Sequence, residues 1–256
     1  MKIELLPSSV SDSANGPSQY LTSYIVNDVV AIDAGSLGIF KSPEDQSRIK
    51  HVFLSHSHID HVATLPLFVD NVYTGTSDCV TVHAGRHVTE CLRRDVFNDR
   101  VWPDFIGMSE GAAPFFKLSL LEPSIPVVVD GLKVTPVRVD HLVETFGFVI
   151  EDQGTTVIVA SDTGPTEEIW NYANASPNLK AVFLEAAFPN SLSDVALAAK
   201  HLTPALFARE SMKLKRPVPL IAVHIKPRYR EQIIRELRSL SLAHLEIGAA
   251  GKVYRF

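Results

Sequence analysis

The segment His51-Val-Phe-Leu-Ser-His56-Ser-His58-Ile-Asp60-His61 constrains this chain more than any other. A short apolar run reading as a buried strand delivers four ligand-type side chains between His56 and His61. His56 and His58 are two apart, so in an extended turn they point to one side. Asp60 and His61 follow at the start of a helix and reach a second point nearby. Imidazole and carboxylate are the donors that hold a divalent ion such as Zn²⁺, Mn²⁺ or Fe²⁺. The bland alternative is a solvated histidine-rich turn, but three His and one Asp at the end of a buried strand argue against it.

Such a stretch supplies ligands for two ions and saturates neither, so more ligands are expected at other strand ends. Four candidates answer that expectation. His141 comes after the strand-like run Leu132–Val139 and Asp140; Asp162 follows Thr156–Ala160, and His224 follows Leu220–Val223. Asp33 ends Val29–Ile32, where a carboxylate can orient a metal ligand from behind. Singly, a strand-end histidine is more often structural. Several sites obeying one rule in one order carry the argument.

Composition sets the outer bounds. The 256 residues are 46% apolar, enough for a large core and too many for a disordered chain. Lys and Arg number 24 against 29 Asp and Glu, net −5, without the basic excess of a general nucleic-acid binder. Two cysteines, Cys79 and Cys91, cannot build a disulfide framework and read as small buried apolar residues. No apolar h-region precedes the polar run Ser11 to Ser18, and no apolar stretch reaches the roughly 20 residues of a membrane span. The expectation is a cytoplasmic protein with no membrane partner and without the charge of a general nucleic-acid binder. A homodimer is compatible with it.

Along the chain, strand-like runs alternate with helical patterns. Tyr20–Val26 and Val29–Asp33 read as a hairpin around Asn27-Asp28, Val127–Val129 and Leu132–Val139 as another around Asp130-Gly131, and Phe146–Glu151 with Thr156–Ala160 as a third. Pro136 predicts an edge position or a bulge. Single strands are expected over His51–Leu54, Cys79–His83, Ala181–Leu184, Leu220–Val223 and Lys252–Phe256. Helices are expected over Gly85–Arg94, Thr166–Ala173, Ser191–Lys200, Pro204–Lys213 (capped by Thr203) and Tyr229–Ser239. Hairpins and βα units come once in the first half and again in the second, which predicts two mixed sheets with helices outside in one domain over 1–256. Residues 95–116 lack periodicity and carry Phe97, Trp102, Phe105, Met108 and Phe116, which marks a lid-like insertion.

These motifs resemble the metallo-β-lactamase superfamily from Asp33 to His224. The resemblance implies an α/β fold, a four-layer αβ/βα sandwich, and a site for two divalent ions, Zn²⁺ first among them. It gives one ion His56, His58 and His141, the other Asp60, His61 and His224, with Asp162 bridging and Asp33 supporting. Two cations roughly 3.5–4 Å apart activate water near neutral pH, so the implied reaction is hydrolysis.

Within that superfamily, His56-Ser-His58-Ile-Asp60-His61-Val-Ala-Thr64-Leu65 is similar to the signature of class II cyclic-nucleotide (cAMP) phosphodiesterases. So are Phe97-Asn98-Asp99-Arg100-Val101-Trp102-Pro103, Glu185-Ala-Ala-Phe188-Pro189-Asn190, His201-Leu-Thr-Pro204 and His224-Ile-Lys226-Pro227. Thr64 stands where that family usually has Gly. The implied reaction opens the 3′ P–O bond of a 3′,5′-cyclic nucleotide and releases a nucleoside 5′-monophosphate. Glu185 and His201 are expected as an acid/base pair that protonates the leaving oxygen, a role an Asp60-linked water can share; the alternative for His201 is a surface residue at a helix N-terminus. Lys226 is a phosphate contact, with simple solvation as its alternative. Trp102, Phe105 and Phe116 either stack the base or pack residues 95–116 onto the body. The rivals are an RNase Z-like endonuclease, which the negative charge and the lack of a basic arm disfavour, and a lactone or thioester hydrolase of the same fold.

Overall fold

The computed structural model describes residues 1–8 and 19–256, so the polar run Ser11 to Ser18 lies outside the described residues. The chain divides into two compact units, Met1–Glu122 with Ala250–Arg255, and Pro123–Ala249 with Phe256.

The first unit is built on a seven-stranded sheet. Its strands are β1 (Lys2–Leu5), β2 (Tyr24–Val26), β3 (Val30–Ile32), β4 (His51–Leu54), β5 (Val80–Ala84), β6 (Phe116–Leu120) and the late strand β14 (Val253–Arg255). They lie in the order β14-β1-β2-β3-β4-β5-β6, antiparallel as far as β3 and parallel beyond it. Residues 27–29 close the β2–β3 hairpin, with Asn27 and Asp28 in the left-handed region at φ of 48° and 62°. Helices α1 (Pro43–Gln46), α2 (Ile59–Val62), α3 (Leu65–Asn71), α4 (Arg86–Cys91) and α5 (Phe105–Met108) complete the unit. Val52, Leu54, Val82 and Ala84 on one sheet face form a core with Leu65, Phe68 and Val88 of the helices.

The second unit repeats the plan. Its strands are β7 (Val127–Val129), β8 (Leu132–Arg138), β9 (Phe146–Asp152), β10 (Thr155–Val159), β11 (Leu179–Glu185), β12 (Leu220–Val223) and β13 (Leu245–Ile247). They run in sequence order across the sheet, antiparallel from β7 to β10 and parallel from β10 to β13. Helices α6 (Glu168–Ala175), α7 (Ser193–Ala198), α8 (Pro204–Ser211) and α9 (Arg230–Ser239) fill the connections. Ile158, Val182, Leu184 and Ala222 of the sheet share a core with Ile169, Trp170, Phe207, Ile233 and Leu237. Thr203 caps α8 as expected, its hydroxyl accepting from Leu206 N at 3.3 Å with Pro204 at the first helical position. Such a cap contributes about 1 kcal/mol.

Four expectations need refinement or correction. Pro136 sits inside β8, which pairs on both sides, yet β7 ends before reaching it; its carbonyl instead accepts from Ser124 N at 2.7 Å. The missing N–H therefore faces past the end of the neighbouring strand, where no ladder bond is lost. Residues 95–116 are not a structureless stretch: a single π-helical turn over Leu92–Val96, a bridge between Phe97 and Trp102, and α5 organise them. Cys79 and Cys91 are free thiols but only half-buried. The sequence pattern does not predict strands β1, β6 and β13 or helices α1 and α3, which are short or, like β6, attached to the aromatic run.

Candidate metal centre and its supports

In the first unit, β4 leads into the ligand turn as the sequence predicts, and α2 carries Asp60 and His61 in its single turn. The donor atoms of His56 and His58 lie within 4.8 Å of each other, as do those of Asp60 and His61. The His56 ring centroid is 4.7 Å from that of His58 and 4.2 Å from that of His61. Behind them sits Asp33, 1% exposed and left-handed at φ 59°. One of its oxygens accepts from Ser55 N at 2.7 Å; the other accepts from Ser55 Oγ at 2.8 Å and from His61 Nδ1 at 2.7 Å. Ser55 Oγ in turn lies 2.9 Å from His56 Nδ1. A single buried carboxylate thus orients two imidazoles.

The turn is also held by its backbone. Thr22 N donates to Asp60 O and Ala34 N to His61 O, both at 2.7 Å. Gly35 lies where these segments meet: a Cβ there would come within 2.1 Å of Asp60 O. Thr64, the departure from the family pattern, is buried; its hydroxyl donates to Ala34 O at 3.0 Å and accepts from Gly38 N at 2.8 Å. The hydroxyl is satisfied, so the change is absorbed without cost to the turn.

In the second unit the donors come from three strand ends. The donor atoms of His141 and Asp162 lie within 4.8 Å of each other, and so do those of Asp162 and His224, with His224 Nε2 3.3 Å from Asp162 Oδ2. His141 Nδ1 donates to the carbonyl of Lys200 at 2.9 Å. Ser161, Lys200 and His224 all adopt left-handed backbones, with φ of 57°, 52° and 51°. Each such residue costs of order 1 kcal/mol, and together with Asp33 they gather at the turns that carry ligand candidates.

Glu185, at the end of β11, is 1% exposed. Its Oε1 accepts from His201 Nδ1 at 2.7 Å and Thr163 N at 2.8 Å, and its Oε2 from Leu202 N at 3.1 Å and Ala187 N at 3.2 Å. With two bonds at each oxygen the carboxylate has no lone pair left for a metal or a substrate, although its oxygen lies within 4.8 Å of donor atoms of Asp162 and His201. Glu185 fixes the orientation of the His201 ring through the Nδ1 bond. Burial opposes a charge on His201, but the charge and hydrogen bond of Glu185, helped by Asp162, outweigh burial and push its pKa up. His141 goes the other way: burial favours its neutral form and lowers its pKa.

The donor set fits divalent ions. His56, His61 and His141 each engage Nδ1 with an oxygen, which assigns the proton to Nδ1 and leaves the Nε2 lone pair as the ligand atom. Carboxylate or carbonyl partners behind an imidazole raise its basicity and fix its ring, as metal-ligating histidines require.

The expected substrate contacts divide. Lys226 is half-buried just beyond β12, with Nζ 5.0 Å from the centroid of the Phe188 ring. Phe105 and Phe116 are 5% and 2% exposed and belong to the core of the first unit. Phe105 stacks on Phe115 at 3.7 Å and Phe116 meets Phe97 at 5.3 Å, so these rings pack residues 95–116 onto the body and have no face for a base. Trp102 is only partly buried against the same core. Sequence reasoning missed Ser55 and Lys200, whose contributions are a hydroxyl relay and a backbone carbonyl; neither has a signature in residue type.

Comparison with known proteins agrees with this chemistry. A model described as "Beta-lactamase superfamily domain" matches residues 32–225. The chain therefore belongs to the metallo-β-lactamase superfamily, a family of metal-dependent hydrolases. A protein of Yersinia pestis named "Probable 3',5'-cyclic-nucleotide phosphodiesterase" is 25% identical over 227 residues, 78% of this chain and 63% of its own length. The chain thus spans about three fifths of that relative. The structure of unliganded yeast PDE1 superposes with a TM-score of 0.80 at 18% identity over 98% of each chain. Human tRNase Z, short form, gives 0.69 at 15% identity, covering 100% of this chain and 99% of its own. These two likenesses show the fold. Among the described residues, no helix is long and apolar enough to cross a membrane.

Proposed function

We propose that the protein hydrolyses a 3′,5′-cyclic nucleotide to the nucleoside 5′-monophosphate, with His56, His58, Asp60, His61, His141, Asp162 and His224 as ligands of two divalent ions, Zn²⁺ first among them. The observation that carries this reading is the arrangement in the second unit: a buried, carboxylate-backed imidazole, His201, whose neighbouring ring, Phe188, also has the Lys226 ammonium 5.0 Å from its centroid. An acid for a departing oxygen beside a cation for a phosphoryl oxygen suits phosphodiester cleavage; a lactone needs no such cation. The named Yersinia relative supports the same substrate class.

When bound, a pair of divalent ions supplies water activation and Lewis-acid polarisation of the phosphoryl group. The remaining work falls to side chains. His201, held by Glu185 through Nδ1, presents Nε2 and delivers its proton to the 3′ oxygen as the P–O bond opens. Glu185 raises the pKa of that imidazole and fixes its ring. Lys226 takes a non-bridging oxygen. Asp33 and the Lys200 carbonyl keep Nε2 of His61 and His141 forward.

A substrate panel tests the reading: cAMP, cGMP, bis(p-nitrophenyl) phosphate, precursor tRNA and a homoserine lactone with the metal-loaded protein. Turnover of the cyclic nucleotides is expected. Cleavage of the lactone alone, or of precursor tRNA alone, replaces the phosphodiesterase reading with the corresponding rival.

A further inference from the structure

Phe188 is half-buried on the turn after β11, three residues past Glu185. Its N–H donates to Leu202 O at 3.3 Å, which pins it beside His201. Two groups address its ring. The His201 imidazole lies 5.6 Å away, centroid to centroid, tilted by 57°. The Lys226 ammonium stands 5.0 Å from the ring centroid. An aromatic face attracts an ammonium through its quadrupole, whereas an aliphatic side chain of the same size offers only contact. Lys226 would otherwise be a flexible four-carbon stem free to leave the site for solvent.

We infer that Phe188 is a positioning residue: its ring holds the Lys226 ammonium beside His201, so that lysine and imidazole form a preorganised subsite for a phosphoryl oxygen. The inference rests on the phosphodiesterase reading for its substrate, but the subsite itself is defined for any phosphate. Because Nδ1 of His201 is committed to Glu185, Nε2 is the atom it offers, and Lys226 supplies the second donor. Preorganisation lowers the cost of ordering the lysine when the anion arrives. The ring thereby contributes to anion affinity without touching the anion.

The test is a double-mutant cycle on the full, metal-loaded chain, using F188L, F188W, K226M and F188L/K226M. Two readouts are taken: the Kd of inorganic phosphate, and KM and kcat for bis(p-nitrophenyl) phosphate. F188L is expected to weaken phosphate binding and raise KM roughly two- to tenfold with little change in kcat. F188W is expected to restore affinity, since indole is the best cation–π partner, and F188L is expected to add nothing in the K226M background. Phosphate affinity in F188L equal to that of the parent overturns the inference, as does an F188L loss that persists in K226M. Leucine and tryptophan bracket phenylalanine in size, so a loss shared by both variants marks a packing role and also overturns it. If no phosphodiester is turned over but the phosphate cycle shows the coupling, the phosphodiesterase reading fails and the subsite stands.

Discussion

The two units solve one problem by different means. In the first, the donors sit on a single strand, turn and helix, and one buried carboxylate, Asp33, orients both imidazoles it reaches. In the second, the donors are dispersed over three strand ends, and the orienting groups are a backbone carbonyl at Lys200 and the saturated carboxylate of Glu185. A contiguous site places its burden on one anchor. A dispersed site shares it among turns that are individually strained and collectively fixed.

The comparison breaks most sharply at the ligands themselves. Asp60→Ala and Asp162→Ala are both expected to reduce kcat by roughly a thousandfold or more, read in the substrate panel, with the fold retained by circular dichroism. The anchors come next and should behave unequally. Asp33→Ala strands a buried imidazole N–H and two Ser55 donors, so it should lower metal affinity about 10–100-fold and stability by about 2–4 kcal/mol, measured by metal titration and denaturant unfolding. Glu185→Gln should leave metal content intact. It removes the charge that raises His201, so the alkaline fall of the pH–rate profile should move to lower pH. Equal effects of the two substitutions on metal content would erase the distinction between the units.

Gly35→Ala probes the contiguous turn alone. Its Cβ meets the Asp60 carbonyl, so the backbone must shift, at about 1–3 kcal/mol and with loss of metal affinity.

How far the sequence was legible follows the same division. The donors of the first unit were readable because they share one short motif, and hairpin turns such as Asn27-Asp28 and Asp130-Gly131 announced themselves through residues that tolerate positive φ. His141, Asp162 and His224 were readable only as instances of a strand-end rule. What escaped was work done by groups without a chemical label: the Lys200 carbonyl, the Ser55 hydroxyl, the ring of Phe188. Phe105 and Phe116 were ambiguous because an aromatic in an aperiodic stretch looks the same whether it waits for a base or fills a core; burial decides it. Pro136 marked a local edge: β7 ends before reaching it, so edge character belongs to part of a strand.

A smaller effect distinguishes the units in acid. In the first unit His83 is 3% exposed, stacks on Phe53 at 4.3 Å, and lies 3.0 Å from His51 Nδ1 through its Nε2. Burial first, and His51 second, lower its pKa to about 4. The unfolded chain takes up this proton near the ordinary value of about 6.5, so the stability held by neutral His83 is complete above that pH and lost as pH falls toward 4. Unfolding of the parent and of His83→Phe should converge across that window, with a change of up to about 3 kcal/mol in the parent. A parallel pH dependence in both would show that His83 is not the group responsible. The smallest effect expected is at Trp102: Trp102→Ala should raise KM for cAMP more than for bis(p-nitrophenyl) phosphate, and equal changes would confine the indole to packing.

Metal content measured by native mass spectrometry on the Zn²⁺-loaded chain bears on the account most directly. Two ions per chain are expected, falling in Asp162→Ala, the residue assigned to both. A parent chain that retains none or one under Zn²⁺ excess, or an Asp162→Ala variant that holds two as tightly as the parent, would contradict it.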